Sequence, residues 1–167
     1  MIILLTGESG VGKTSVAKTL MNRHPGILLD GDDMRDGLNS DLGFSDRDIM
    51  ENMRRTAHIA MLLHDQLPDD RRVVYITCIA PLLAGRNLVH ELCGLRLWEI
   101  RLQYDYRASD DVKGLYKAGT PMRAYEDYPS EALLLSRRIN RVYRYYNDTV
   151  WALAARIEEL WPADKTA

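Results

Sequence analysis

The stretch Gly7-Glu8-Ser9-Gly10-Val11-Gly12-Lys13-Thr14 fits the spacing G-x-x-x-x-G-K-[ST], the pattern of a loop that cradles phosphates. Each residue type has a physical reason to stand where it does. Glycines reach backbone angles closed to other residues and let phosphate oxygens approach main-chain N–H groups. A helix opening near Lys13 turns its positive end toward the same anion. The Lys13 amine suits the β- and γ-phosphates of a nucleoside triphosphate, and the Thr14 hydroxyl suits magnesium. Gly7, Ser9, Gly10, Val11, Gly12, Lys13, Thr14 and Ser15 are therefore the expected nucleotide-binding residues, with ATP and Mg2+ as the expected cofactors.

The flanks agree with that reading. Met1 to Thr6 is a short apolar run suited to a strand buried on both faces of a parallel sheet. Lys13 to Arg23 carries Val16, Ala17 and Leu20 at helical spacing and stops at Pro25-Gly26. Ile27 to Leu29 reads as a second strand ending at Asp30-Gly31-Asp32, with Asp33 expected to cap a brief helix. Ser45, with Asp48 in capping-box spacing, opens a long helix to about Gln66. Arg72 to Ile79 and Leu95 to Leu102 read as further strands around a helix at Asn87 to Leu92. This alternation predicts an α/β, P-loop NTPase-type three-layer sandwich with a short parallel sheet. Residues 108–128, polar and without periodicity, read as a lid, and 130–160 as a helical C-terminal region. All of it is expected to form one domain, 1–167.

Composition narrows the class further. Hydrophobic residues at 46% and charged residues at 28% are ordinary for a globular protein. A net charge of −2 supplies no overall field for long nucleic acid, although Arg137, Arg138, Arg141 and Arg144 form a local basic stretch. Cys78 and Cys93 lack metal-ligand spacing and read as reduced core thiols. The opening apolar run is too short for a leader or a membrane span, so a cytoplasmic protein without membrane association is expected.

Asp30 and Asp32, at the carboxyl end of the second strand, should face the same crevice as the phosphate loop. One suits proton abstraction from an acceptor hydroxyl and one suits magnesium. With Lys13 they are the expected catalytic residues, and Thr14 and Asp32 the expected metal side.

Three longer stretches extend the pattern: Leu29 to Asn39 (LDGDDMRDGLN), Asp41 to Ser45 (DLGFS) and Glu51 to Arg55 (ENMRR). Together with the phosphate loop and Lys113-Gly114-Leu115-Tyr116-Lys117, they resemble the adenylyl-sulfate kinases, from residue 1 to about 117. That family phosphorylates the 3′-hydroxyl of adenosine 5′-phosphosulfate using ATP and magnesium. The resemblance implies that Arg35 and Asn52 hold a small nucleotide-like acceptor and that Phe44 stacks on its base. It also implies that Arg55, Lys113 and Lys117 contribute to substrate binding.

Departures from the family fall on the acceptor side. Ile49 stands where family members usually carry an arginine, with Arg47 two residues earlier. Ala80, Leu82 and Leu83 replace the serine, tyrosine and arginine of Ile-Ser-Pro-Tyr-Arg, leaving Arg86 nearby. Arg107 is the candidate for a missing arginine ahead of the lid, and Tyr125 or Tyr128 for the second aromatic. Two catalytic readings follow: a kinase for adenylyl sulfate or a related compound, or one with a changed acceptor. The changed acceptor would be a nucleoside diphosphate derivative, a sugar, or (less favoured) a hydroxylated base in DNA. A third reading is a non-catalytic nucleotide-binding regulatory module. The sequence is compatible with a homodimer.

Overall fold

The computed structural model describes residues 1–69, 72–103, 139–142, 154–155 and 157–159. Among the described residues, the elements follow one another as β1 (Ile2–Thr6), α1 (Lys13–Met21), β2 (Ile27–Asp30), α2 (Gly31–Asp36), α3 (Asp46–Gln66), β3 (Val74–Thr77), α4 (Leu83–Cys93), β4 (Leu97–Gln103) and β5 (Ile139–Val142). A single 3-10 turn, Gly94–Arg96, joins α4 to β4. All pairings are parallel, in the order β2-β3-β1-β4-β5.

The apolar runs are continuous because both sheet faces are covered. Ile3, Leu5, Tyr75, Trp98 and Ile100 pack with Val16, Ala17 and Leu20 of α1 and with Ala154 and Ile157. Ile2, Leu4, Val74 and Ile76 point the other way, onto Met53, Ala57 and Ala60 of α3 and Val89 and Cys93 of α4. Successive strand residues therefore serve opposite cores, which yields the expected three layers.

Register brings the strand ends level. Leu5 of β1 and Asp30 of β2 both lie opposite Thr77 of β3. The chain steps from β1 out to β2 and back to β3, then continues as β4 on the far side of β1. A crevice opens at such a reversal, beyond the carboxyl ends of the strands.

Local expectations hold at α3 and fail at α2. The Ser45 hydroxyl caps α3 by accepting from the Asp48 amide at 3.2 Å, and it donates to Asp48 Oδ2 at 2.8 Å. Aspartate is one methylene shorter than the glutamate of a full capping box, and it takes the hydroxyl. In α2 the cap is Asp30 and not Asp33: the helix starts at Gly31, and Asp30 Oδ1 accepts from the Asp32 amide.

The C-terminal expectation needs a larger correction. Ile139–Val142, read as part of the helical region 130–160, form β5, paired with Ile100 to Gln103. A short segment with β-branched ends fits either state by pattern. Here the outer edge of β4 decides it, because its N–H and C=O groups need partners. The described residues at 154–155 and 157–159 are helical, as expected. The proposed lid, with Lys113, Lys117, Tyr125 and Tyr128, lies outside the described residues, as do Arg107 ahead of it and the arginines of the 137–144 stretch apart from the backbone of Arg141.

Among the described residues no helix is long and apolar enough to cross a membrane. Both cysteines are free thiols.

Gly26, at the entry to β2, touches backbone: a Cβ there would lie 2.1 Å from the Val73 carbonyl oxygen. Gly26→Ala should force β2 from β3 and cost about 1–3 kcal/mol, as overpacking does. Urea unfolding would show a lowered midpoint with an unchanged slope.

Candidate functional site

The phosphate loop begins where β1 stops. Gly7, Gly10 and Gly12 take φ of 133°, 82° and 89°, which side chains with a Cβ disfavour. At Gly7 a Cβ would also lie 2.1 Å from the Leu102 carbonyl oxygen, so β4 and the loop meet backbone to backbone. Gly12 hands the chain to α1, and its carbonyl accepts the first helical bond from the Val16 amide at 2.9 Å. The Lys13 ammonium lies across the loop, donating to the carbonyls of Gly7 (2.9 Å) and Glu8 (2.7 Å).

Asp30 ties this loop to the rest of the site. Its Oδ2 accepts from the Thr14 hydroxyl at 2.7 Å and from the Thr77 hydroxyl at 2.9 Å, while Oδ1 caps α2. Asp32, two residues on, is exposed and also lines the pocket.

A pocket of about 430 Å³ joins the loop to these carboxylates. Ser9, Gly10, Gly12, Lys13, Thr14 and Ser15 line one end, and Asp30, Gly31 and Asp32 the middle. Arg35, Phe44, Ile49, Asn52 and Met53 line the other end, with Thr77, Cys78 and the segment Ile79-Ala80-Pro81 behind them.

Two of the far-end residues form a unit. The Arg35 guanidinium stacks 4.4 Å from the centroid of the Phe44 ring and donates to the Gly43 carbonyl at 3.0 Å. Burial pulls the Arg35 pKa down, and the nearby Cys78, Asp48 and Asp32 partly offset it. One face of Phe44 is thus taken by arginine, and the half-exposed remainder can receive a flat group. Asn52 is buried, and its Oδ1 accepts from Asn39 Nδ2 at 2.8 Å. Its own amide N–H groups are what it has left to offer a ligand.

Arg55 does not line this pocket. It forks onto Asp41 at 2.6 and 2.9 Å and reaches Glu51 at 2.9 Å, latching the loop before α3 to that helix. Arg54 also grips Glu51, and these two guanidinium groups hold the Glu51 carboxyl down at about 2. Val11 faces the core, and Gly7 supports the loop from behind. Arg86, the cation left near Pro81, is fully buried and outside the pocket lining.

Sequence reasoning missed Thr77 and Asn39. Thr77 ends a strand level with Asp30, a position visible only once register is known. Asn39 sits two residues beyond a glycine in what reads as loop, and nothing in its spacing marks it as buried.

Fold and site together define a P-loop α/β protein with a second binding end beside its phosphate loop. The family pattern described as adenylylsulphate kinase matches residues 1–123, and the chain belongs to that family. It is 38% identical over 125 residues to the adenylyl-sulfate kinase of Vibrio cholerae, covering 70% of this chain and 56% of that protein. With the adenylyl-sulfate kinase of Paraburkholderia xenovorans it shares 38% over 122 residues, covering 69% of this chain and 66% of that one. It therefore spans less than two thirds of the length of each. The structure superposes on the Mycobacterium tuberculosis APS kinase CysC, solved in complex with AMPPNP and APS, with a TM-score of 0.71. That likeness covers 95% of both chains at 26% identity.

Cys78 lies in the pocket wall with its thiol 3.8 Å from Met53 Sδ, and burial pushes its pKa up to about 12. The native thiol should resist iodoacetamide at pH 8 and react on unfolding. The folded state keeps a proton that the unfolded chain releases near pH 9. This group's contribution to stability is therefore unchanged below that pH and falls as pH rises toward 12. Urea midpoints for wild type and Cys78→Ala, compared from pH 8 to 10.5, would expose that loss.

Proposed function

We propose that this chain is an ATP-dependent kinase that transfers the γ-phosphoryl group to a hydroxyl of adenylyl sulfate or a closely related nucleotide. One observation carries the reading. The phosphate loop, Asp30-Gly31-Asp32 and the Arg35–Phe44 pair all line one pocket, which we read as donor side, reacting centre and acceptor side. Family membership and the nucleotide and APS ligands named for the Mycobacterium tuberculosis relative support the same reading.

Phosphoryl transfer asks a protein for positioning and charge neutralisation more than for covalent chemistry. Main-chain N–H groups of residues 9–15 and the N-terminus of α1 would hold the β- and γ-phosphates. Lys13 would exchange the two carbonyls it now grips for phosphate oxygens.

The all-oxygen donor set at Thr14 and Asp30 fits magnesium, a hard cation that takes few protein ligands beside phosphates. When bound, the ion would neutralise charge on the phosphates. Asp30 already accepts two hydroxyl hydrogen bonds and caps α2, which suits it to orienting Thr14 on the metal side. Asp32, which also lines the pocket, is then the better base for the acceptor hydroxyl. This reading moves it away from the metal role expected from sequence.

At the acceptor end, the Arg35 guanidinium suits an anionic oxygen, the Asn52 amide a ring or sugar oxygen, and the open face of Phe44 a base. The lid residues Lys113 and Lys117 belong to the same proposal.

A second reading keeps the chemistry and changes the acceptor. Its support is the apolar wall of Ile49, Met53, Ile79 and Pro81, which offers no cation to a second anionic group. Incubation with γ-labelled ATP, magnesium and adenylyl sulfate separates the readings. Label in the 3′-phosphorylated product supports the first. ATP binding without transfer supports the second and directs the assay to nucleoside diphosphate derivatives and sugars.

In the active assay, Lys13→Ala should abolish transfer. Asp32→Asn should lower kcat by about 10²-fold or more with little change in ATP affinity. Undiminished kcat in Asp32→Asn would return the base role to Asp30.

A further inference from the structure

Ile79-Ala80-Pro81, which walls the acceptor end of the pocket, is a piece of backbone under constraint. Ala80 takes φ 46°, a left-handed conformation that a Cβ disfavours, so its surroundings must hold it there. Three successive carbonyls show how. Ile79 O accepts from the Gly7 amide at 3.4 Å. Ala80 O and Pro81 O both accept from Arg86 Nη1, at 2.7 and 3.1 Å.

Arg86 stands in the first turn of α4 and is 0% exposed. Its Nε lies 3.6 Å from Glu99 Oε1, an ion pair too long for a hydrogen bond, and Glu99 on β4 is itself buried. The other oxygen of Glu99 lies 2.8 Å from His90 Nε2. A guanidinium so buried persists where its donors are used, and two of its short contacts run to the wall, while the carboxylate lies further off. The wall is thus pinned at one end to the phosphate loop and at the other to the sheet interior.

We propose that Arg86 is a positioning residue for the acceptor: it does not itself line the pocket, but its grip on the carbonyls of Ala80 and Pro81 sets the wall against which the acceptor is held. The inference rests on reading that end of the pocket as the acceptor site. The rival explanation is that Arg86 only neutralises Glu99.

Two variants separate these. Arg86→Lys keeps the positive charge but replaces the planar fork with a single ammonium, which is poorly shaped to hold both carbonyls. The double variant R86M/E99Q removes both charges, so neither is left buried alone. With wild type active on its acceptor, both variants should raise the acceptor KM about tenfold or more while the ATP KM stays within about twofold. Amide exchange in the peptide spanning 78–85 should quicken in both.

An acceptor KM and 78–85 exchange in Arg86→Lys matching wild type would overturn the proposal. So would equal weakening of both substrates alongside a lowered Tm, which marks a purely structural role. If wild type transfers phosphate to no acceptor tried, the functional reading fails by itself. Exchange at 78–85 in the two variants, measured on protein that still binds ATP, then decides whether Arg86 holds the wall.

Discussion

The carboxylate of Asp30 is the contact on which the geometry of the site depends. One oxygen accepts hydroxyls from Thr14 and Thr77, and the other receives the amide of Asp32. In a single group the first turn of α1, the end of β3, the end of β2 and the start of α2 are fastened together. None of these four pieces is adjacent to all the others in sequence. A buried acceptor that loses its donors costs about 1–3 kcal/mol. Each hydroxyl therefore also holds the carboxylate in place, and the knot resists loosening from any one side.

Around that knot the two halves of the pocket are built from different materials. The phosphate end is main chain, held at left-handed glycines and at a helix start, with Lys13 folded back over the carbonyls of Gly7 and Glu8. The acceptor end is side chains from α2, α3 and the segment before α4. Its one described cation is already stacked on Phe44 and bonded to Gly43. Fold and loop alone would describe any phosphate-binding α/β protein. The second half of the pocket narrows the description to a family.

How much of this could be read from the residues varies with the range of the interactions responsible. The phosphate loop, α1 and α3 are local structures, with spacing, caps and glycines written within a few residues. They appear where the sequence places them. Asp30 and Asp32 were legible as a pair at a strand end. Which of them is tied to Thr14 was not, because that tie also takes in Thr77, 47 residues away from Asp30. Arg55 read as a substrate group from resemblance, yet Asp41 and Glu51 occupy its fork. The choice between solvated ion pair and ligand turns on neighbours that a motif does not contain. Ile139–Val142 misled for a similar reason: a four-residue apolar-ended segment takes the state its partner offers, and β4 offers an edge. Arg86 read only as a cation left near the pocket, because nothing local shows that two carbonyls and Glu99 surround it.

The stripe that α3 presents to the acceptor bears on how such a site changes over time. Ile49, Asn52 and Met53 are spaced i, i+3, i+4 and face the pocket from one side of one helix. Substitutions at Ile49 or Asn52 alter that wall with little consequence for the strands, whereas Met53 also packs under β1 and β3. The phosphate loop has no comparable freedom, since Gly7, Gly10 and Gly12 hold positive φ and admit no replacement without strain. Novelty in a lineage built on this scaffold would therefore accumulate along a single helical face, while the energy-donating half stays fixed by stereochemistry.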